Sequence, residues 1–345
     1  MRGKLLSALL LLAMLCLAAC GSESPAPEER LIRVGFSQVG SESDWRIANT
    51  ASMTGALSEE NGYELLFDNA KQRQENQLLA IRNFIQQDVD YIVLAPIAES
   101  GWEDVLQEAK NAGIPVIIVD RQIAVEDESL YTSWVGSDFL AEGQRAVTWL
   151  EEELKRQGRE DAPLRILHIQ GTDGATAQIL RTQALLDALE EHPNWVLVAQ
   201  LPGEYTEAKS YELVRDFLST GQAIDVIYSE NDNMSFGALQ ALEEAGIACG
   251  GEDGVLLLSF DAVRRALTLC QEGKISLCVE CNPLHGPRVA ALLQQLESSE
   301  TTLKQTFVDE RSFTPADLSD AVIRERQYYR GRKGKRESSI DNREQ

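Results

Sequence analysis

The sequence predicts an α/β protein made of two similar domains, each a parallel sheet flanked by helices. Two observations carry this. Short apolar runs rich in Val, Ile and Leu alternate with longer amphipathic segments from Leu31 onwards, and the whole alternation then occurs a second time. In the first block, strands are expected near 31–36, 64–68, 91–95 and 115–119, with helices near 44–61, 74–87 and 99–112. Asn111-Ala-Gly-Ile-Pro and Glu60-Asn-Gly-Tyr place a Gly at or just past a helix end, where a left-handed residue closes the last turn. The second block places strands near 164–170, 195–200, 225–229 and 254–259 among helices near 138–157, 173–191, 206–219, 232–245 and 261–272. The join falls at Tyr131 to Ser137, an extended run. One more strand is expected from Ile275 to Cys281, and one helix (284–298) and one extended run (305–310) follow Pro283.

The bulk composition is that of a globular protein: 345 residues, 43% apolar and 25% charged. A formal charge of −23 argues against nucleic acid as a partner, since phosphate backbones need Lys and Arg patches. At the N-terminus, Arg2 and Lys4 precede a nearly unbroken apolar stretch from Leu5 to Ala19, which suits a signal peptide and is too short to span a bilayer. Leu17-Ala-Ala-Cys20 resembles a bacterial lipobox, so Cys20 is the expected lipidation site. Residues 20–30 then read as a polar, Pro-rich tether. The protein is therefore expected outside the cytoplasm, anchored to the bacterial cell membrane through lipid on Cys20.

Six cysteines are present. Cys16 leaves with the signal, and Cys249, Cys270, Cys278 and Cys281 remain as thiols or disulfide partners. Cys278-x-x-Cys281 has the spacing of a metal or redox pair, yet on a strand those two positions point to opposite faces. With three histidines in the chain no metal site is expected, and buried small hydrophobes are the favoured role for most of the thiols. Between Arg324 and Arg336 seven basic residues face one acidic one, which reads as a solvated tail over 324–345 with anionic lipid headgroups as an alternative contact.

Candidate chemistry gathers where strands end. Val34 to Arg46 reads as strand, Gly/Ser loop and helix start, delivering an indole (Trp45) and a guanidinium (Arg46) to the crevice beyond the sheet, where open α/β sheets hold ligands. An aromatic face and a fork of donors suit the C–H faces and hydroxyls of a sugar. Asp120 and Arg121 end another strand, Ser229 to Asn233 a further one, and Ser259-Phe260-Asp261 another. Arg181 lies early in the helix after Gln170-Gly-Thr172. Helix N-caps explain Asp232 and Asp261 equally well one at a time; their joint occurrence at strand ends favours a site.

Several of these stretches carry a family resemblance: Val34 to Arg46, Lys71-Gln-Arg-Gln-Glu-Asn-Gln77 with Ala80-Ile-Arg82, Ala95-Pro96 with Gly101-Trp102, Asp120-Arg121, Gln170-Gly-Thr172 and Asn231-Asp232. From about Leu31 to Thr314 the chain resembles the type I periplasmic sugar-binding proteins of ABC importers, the ribose-binding relatives, and within them the galactofuranose-binding subgroup. The resemblance implies two Rossmann-like domains joined by a hinge. The N-terminal lobe comprises 31–135 and 283–303, and the C-terminal lobe 136–282 and 304–323, after a signal peptide over 1–19. It also implies a sugar held by Trp45, Arg46, Asp120 and Arg121 from one lobe and Arg181, Asn231 and Asp261 from the other. Ser41 and Glu42 add contacts in the first loop, with Phe36, Thr172, Glu280 and Asn282 as further candidates, and Lys71 to Gln77 shapes the loop before a helix. Two departures bear on the site: Ala262 stands where many relatives carry Gly, and Phe139 where relatives often carry Asn.

The function so implied is that of a monomeric receptor with no cofactor, presenting a monosaccharide, a furanose by resemblance, to ABC permease subunits. A sensor reporting to a membrane histidine kinase or chemoreceptor is the alternative. Asp120 and Asp261 could be cast as a glycosidase pair, but an arginine beside Asp120 lowers its pKa and spoils a general acid, and no phosphate loop, nucleophile elbow or His-Glu-x-x-His pair occurs. No enzyme activity and no catalytic residue are expected.

Overall fold

The computed structural model describes residues 30–251 and 254–326. The signal segment, Cys20, most of the tether and the tail beyond 326 lie outside them. In chain order the elements are β1 (Ile32–Gln38), α1 (Asp44–Ala56), β2 (Tyr63–Asn69), α2 (Gln74–Gln86), β3 (Tyr91–Leu94), α3 (Glu103–Asn111), β4 (Val116–Val119), β5 (Ser133–Gly136), α4 (Phe139–Arg156), β6 (Leu164–Gln170), α5 (Thr176–Glu191) and β7 (Trp195–Pro202). There follow α6 (Glu207–Leu218), β8 (Val226–Ser229), α7 (Asp232–Glu244), β9 (Leu256–Asp261), α8 (Arg264–Gln271), β10 (Leu277–Glu280), α9 (Gly286–Glu297), β11 (Gln305–Phe307), β12 (Ser312–Phe313) and α10 (Asp320–Glu325). Among the described residues no helix is long and apolar enough to cross a membrane.

The strands form two six-stranded sheets, ordered β11-β5-β4-β3-β1-β2 and β12-β10-β9-β8-β6-β7. All pairings are parallel except β10 with β12. The central strands β3, β4, β8 and β10 are buried along their whole length. Helices cover both faces, so these strands read as continuous apolar runs and not as alternating ones. In each sheet the order reverses beside the first strand, between β1 and β3 and between β6 and β8, and the crevice at such a reversal opens at the carboxyl ends of the strands.

Three chain crossings link the sheets: Gly136 to Asp138, Cys281 to His285, and Val308 to Arg311. The third corrects the sequence expectation that 304–323 stays with the second sheet. Gln305–Phe307 pairs in parallel with Trp134 to Gly136 and closes the edge of the first sheet. The expected tail is also shorter than 324–345, because Arg324 and Glu325 end α10, capped by Ser319. Several predicted helices begin late. The expected 99–112 helix starts at Glu103 and the expected 261–272 helix at Arg264, because the loops before them leave their strand ends in left-handed conformations at Gly101, Asp261 and Ala262.

The four described cysteines are free, with Cys270, Cys278 and Cys281 buried. Cys270 and Cys278 belong to the apolar core of the second sheet, the role expected for them.

Candidate functional site

Ser43 caps α1, its side chain accepting the Arg46 amide at 3.1 Å. The cap fixes the first helical turn and with it Trp45 and Arg46. Trp45 donates its indole N–H to the carbonyl of Cys281 at 2.7 Å, so the ring is pinned to the second crossing. The Arg46 guanidinium lies over that ring at 4.6 Å and is held by Asp120 Oδ2 at 2.8 Å, Glu42 Oε1 at 3.3 Å and the Gln38 side-chain carbonyl at 3.2 Å. Asp120 follows β4 in a left-handed conformation (φ 67°), and Arg121 donates to the Ile97 carbonyl at 2.7 Å.

From the second sheet, Arg181 on α5 binds Glu142 Oε2 at 2.7 Å through both Nε and a terminal nitrogen. It also donates to the Glu230 carbonyl at 2.5 Å and reaches within 3.8 Å of Asp261. The rings of Phe139 and Phe260 flank its plane at 5.3 and 4.8 Å. Asn231 serves twice: its carbonyl oxygen caps α7 at the Met234 amide, and its amide nitrogen donates to the Tyr205 carbonyl at 3.3 Å. Cap and site are thus one residue at Asn231, and the cap reading of Asp232 and Asp261 does not hold, since α7 is capped by Asn231 and α8 begins after Val263. Asp261 (φ 106°) and Ala262 (φ 58°) both hold left-handed backbone, the region where Gly is unstrained, and Asp261 still faces the pocket.

These side chains line a pocket between the sheets, made by Glu42, Ser43, Trp45, Arg46, Asp120, Arg121, Phe139, Ala177, Arg181, Tyr205, Asn231, Asp261 and Cys281. Eight of the thirteen sequence candidates are therefore brought together, and five are not. Ser41 is exposed and accepts from Asn69. Phe36 is buried inside the first sheet's core against Phe67. Thr172 ends a turn outside the pocket, bonding the Ala175 amide through its carbonyl. Glu280 points away to the Arg311 amide and Arg326, and Asn282 caps its own turn at the Leu284 amide. Alternation along β1 and β10 explains Phe36 and Glu280, since neighbouring positions on a strand face opposite sides.

Sequence reasoning did not select Tyr205, in the loop between β7 and α6. Its ring sits on Gly171, where a Cβ would stand 1.9 Å from it, and stacks on Arg121 of the other lobe at 5.2 Å. Its buried hydroxyl has no hydrogen-bond partner. A Gly at 171 facing a loop aromatic was the available signal.

Burial dominates the electrostatics. It pushes Asp261 well above the usual carboxylate range in spite of Arg181, with Asp232 alongside raising it further. Asp120 is subject to the same burial, yet Arg46 and Arg121 hold it below its ordinary value. Burial and the charge of Arg46 lower Arg121, and burial raises the Tyr205 phenol, which stays neutral. The pocket thus presents guanidinium donors, an ionised and a protonated carboxyl, a phenol and an indole wall. That set addresses a neutral molecule rich in hydroxyls.

A periplasmic binding protein domain model matches residues 34–296. The galactofuranose-binding protein YtfQ of Escherichia coli (strain K12) is 36% identical over 288 residues, covering 82% of this chain and 88% of its own. A crystal structure from Mycobacterium smegmatis in complex with β-D-fucofuranose is 37% identical with a TM-score of 0.81, over 86% of this chain and 95% of that one. The periplasmic binding protein of the arabinose ABC transporter from Shewanella sp. ANA-3, bound to α- and β-L-arabinofuranose, is 34% identical with a TM-score of 0.79, over 91% and 99%. With its two crevice-forming sheets and the matched domain spanning both, the chain belongs to the periplasmic binding protein family.

Proposed function

We propose that this chain is the substrate-binding lipoprotein of an ABC sugar importer and takes a monosaccharide in its furanose form, galactofuranose or a close relative, into the cleft. The observation that carries this is the convergence of buried guanidinium and carboxyl groups from both lobes on one pocket between the sheets. Hydroxyl groups of a furanose can accept from Arg46, Arg121 and Arg181 and donate to Asp120 and Glu42, whose Oε2 is buried without a donor. Trp45 gives a flat wall for the ring's C–H face. Relatives whose names or bound ligands specify furanoses support that ring form. The lipobox at Cys20 supports the anchor, and the family supports an importer partner.

A thermal-shift panel on the mature domain tests the reading. Galactofuranose, fucofuranose or arabinofuranose at a hundred times its dissociation constant adds about 2.7 kcal/mol to the folded state and raises Tm, while ribose, allose and xylose shift it less. No response to any of these sugars refutes a monosaccharide ligand. Arg121→Ala is expected to abolish the response while leaving a folded protein. Trp45→Ala abolishes it too, but at a cost of about 3–5 kcal/mol in stability, because Trp45 is 3% exposed and packed in the second sheet's core cluster.

A further inference from the structure

The three crossings between the lobes meet at one carboxyl group. Glu310, on the third crossing, accepts on a single oxygen from the Ser137 hydroxyl of the first crossing and from the Asn282 amide of the second, both at 2.6 Å. Ser137 Oγ also lies 3.3 Å from Cys281 Sγ. The Glu310 side chain is 2% exposed. Against it from α4 stands Glu142, the carboxylate that grips Arg181; oxygen atoms of Glu142 and Glu310 and the Cys281 sulfur lie within 4.8 Å of one another. Glu142 Oε1 is buried with no donor of its own, so a proton held by Glu310 is what satisfies it.

We propose that Glu310 is a positioning residue, tying the three crossings to Glu142 so that closure of the lobes and placement of the Arg181 guanidinium at the ligand pocket become one event. Resting on the sugar-receptor reading above, this adds a relay the pocket residues do not contain: ligand, Arg181, Glu142, Glu310, hinge. A proton serves better than a metal ion at the carboxyl pair. One Glu310 oxygen already accepts two donors, and the guanidinium of Arg145 lies 4.0 Å from the other. The charged and titratable groups facing Glu310 are Glu142 and Arg145 from α4, Cys281 from the second crossing and, through Glu142, Arg181 from α5. Burial and the neighbouring Glu142 carboxylate raise Glu310 to about 9. An unfolded glutamate titrates at about 4.3, so folding takes up a proton between those values and the stability this group confers falls as pH rises through that window.

Two measurements on the mature domain test the relay. Without sugar, Tm of wild type and Glu310→Gln is followed from pH 5 to pH 9. Gln keeps the acceptor for Ser137 and Asn282 and gives Glu142 a donor that does not titrate, so wild type should lose about 3 °C or more relative to the variant across that range; parallel curves overturn the proposal. With fucofuranose, Glu310→Gln should bind within about threefold of wild type at pH 7 and Glu310→Ala at least about tenfold more weakly. An Ala variant that binds like wild type overturns the proposal, and should that variant not fold, the Tm comparison decides. If no form binds any sugar, the sugar-receptor reading fails and the Tm comparison still judges the hinge carboxyl.

Discussion

Arg46 shows how a single residue can be both ligand-ready and structurally committed. Burial costs the guanidinium its hydration, and Asp120 and Glu42 more than restore its charge, so its pKa rises. Tyr205 makes no comparable commitment, since its hydroxyl is unpartnered. Tyr205→Phe should therefore leave the stability of the sugar-free protein within about 0.5 kcal/mol, because no hydrogen bond is lost. Furanose affinity should fall about tenfold where the phenol meets a ligand hydroxyl; calorimetric titration beside a melting curve separates the two effects. His285 makes a second residue-scale case. Fully buried against the edge of Trp45 with neither ring nitrogen bonded, it is lowered by burial from 6.5 to about 4. The unfolded chain takes up that proton first. His285 accordingly removes stability as pH falls from 6.5 towards 4, up to roughly 3 kcal/mol, and the melting-temperature difference between wild type and His285→Gln should shift against wild type over that interval. Asp120, Arg121 and Asp261 were legible because a strand end places its following residues in the crevice, and Trp45 and Arg46 because a helix start follows the loop after β1. Tyr205 was not, because its place depends on a glycine thirty-four positions earlier in the chain.

Elements were legible where burial on both faces wrote long apolar runs, as in β3, β4 and β8. They blurred where the chain pays for a special backbone, as before α3 and α8. β11 was misplaced for a different reason. It has three residues, with Phe307 52% exposed and Leu303 just before it 72% exposed, so nothing in its pattern distinguishes one sheet edge from the other. Only the parallel register with Trp134 to Gly136 does. Helix packing supplies the sharpest element-scale prediction. α6 and α7 approach so closely at Gly237 that a Cβ there would lie 2.2 Å from the Glu207 carbonyl oxygen and 2.7 Å from the Tyr211 nitrogen. Both neighbours are backbone, so the helices must move apart. Gly237→Ala is expected to cost about 1–3 kcal/mol in denaturant unfolding, in spite of the helix propensity that Ala gains.

At the scale of the molecule, the lobes touch along the mouth of the cleft as well as at the hinge. The Glu99 amide donates to the Gly174 carbonyl at 3.0 Å, the Gln122 amide to the Thr176 hydroxyl at 2.9 Å and the Asp44 amide to the Asn233 side chain at 3.0 Å. Contacts that reach across the cleft are the ones that stabilise the closed form. Thr176→Val removes one acceptor without touching the pocket's charged groups, and should weaken furanose binding about fivefold. X-ray scattering with ligand should show a larger fraction of expanded molecules than in wild type.

That rim of hydrogen bonds also sets a clock. With Arg121 and Tyr205 stacked behind it and pocket residues only a few per cent exposed, a captured molecule is expected to leave by parting the rim. Its escape rate cannot exceed the rate at which the rim parts. Residence time then belongs to the lobes rather than to the sugar, so ligands of different affinity should differ in how fast they enter and in how often the shut form occurs more than in how long each shut event lasts. A membrane partner that unloads the protein gains most by prying at Gly174, Thr176 and Asn233.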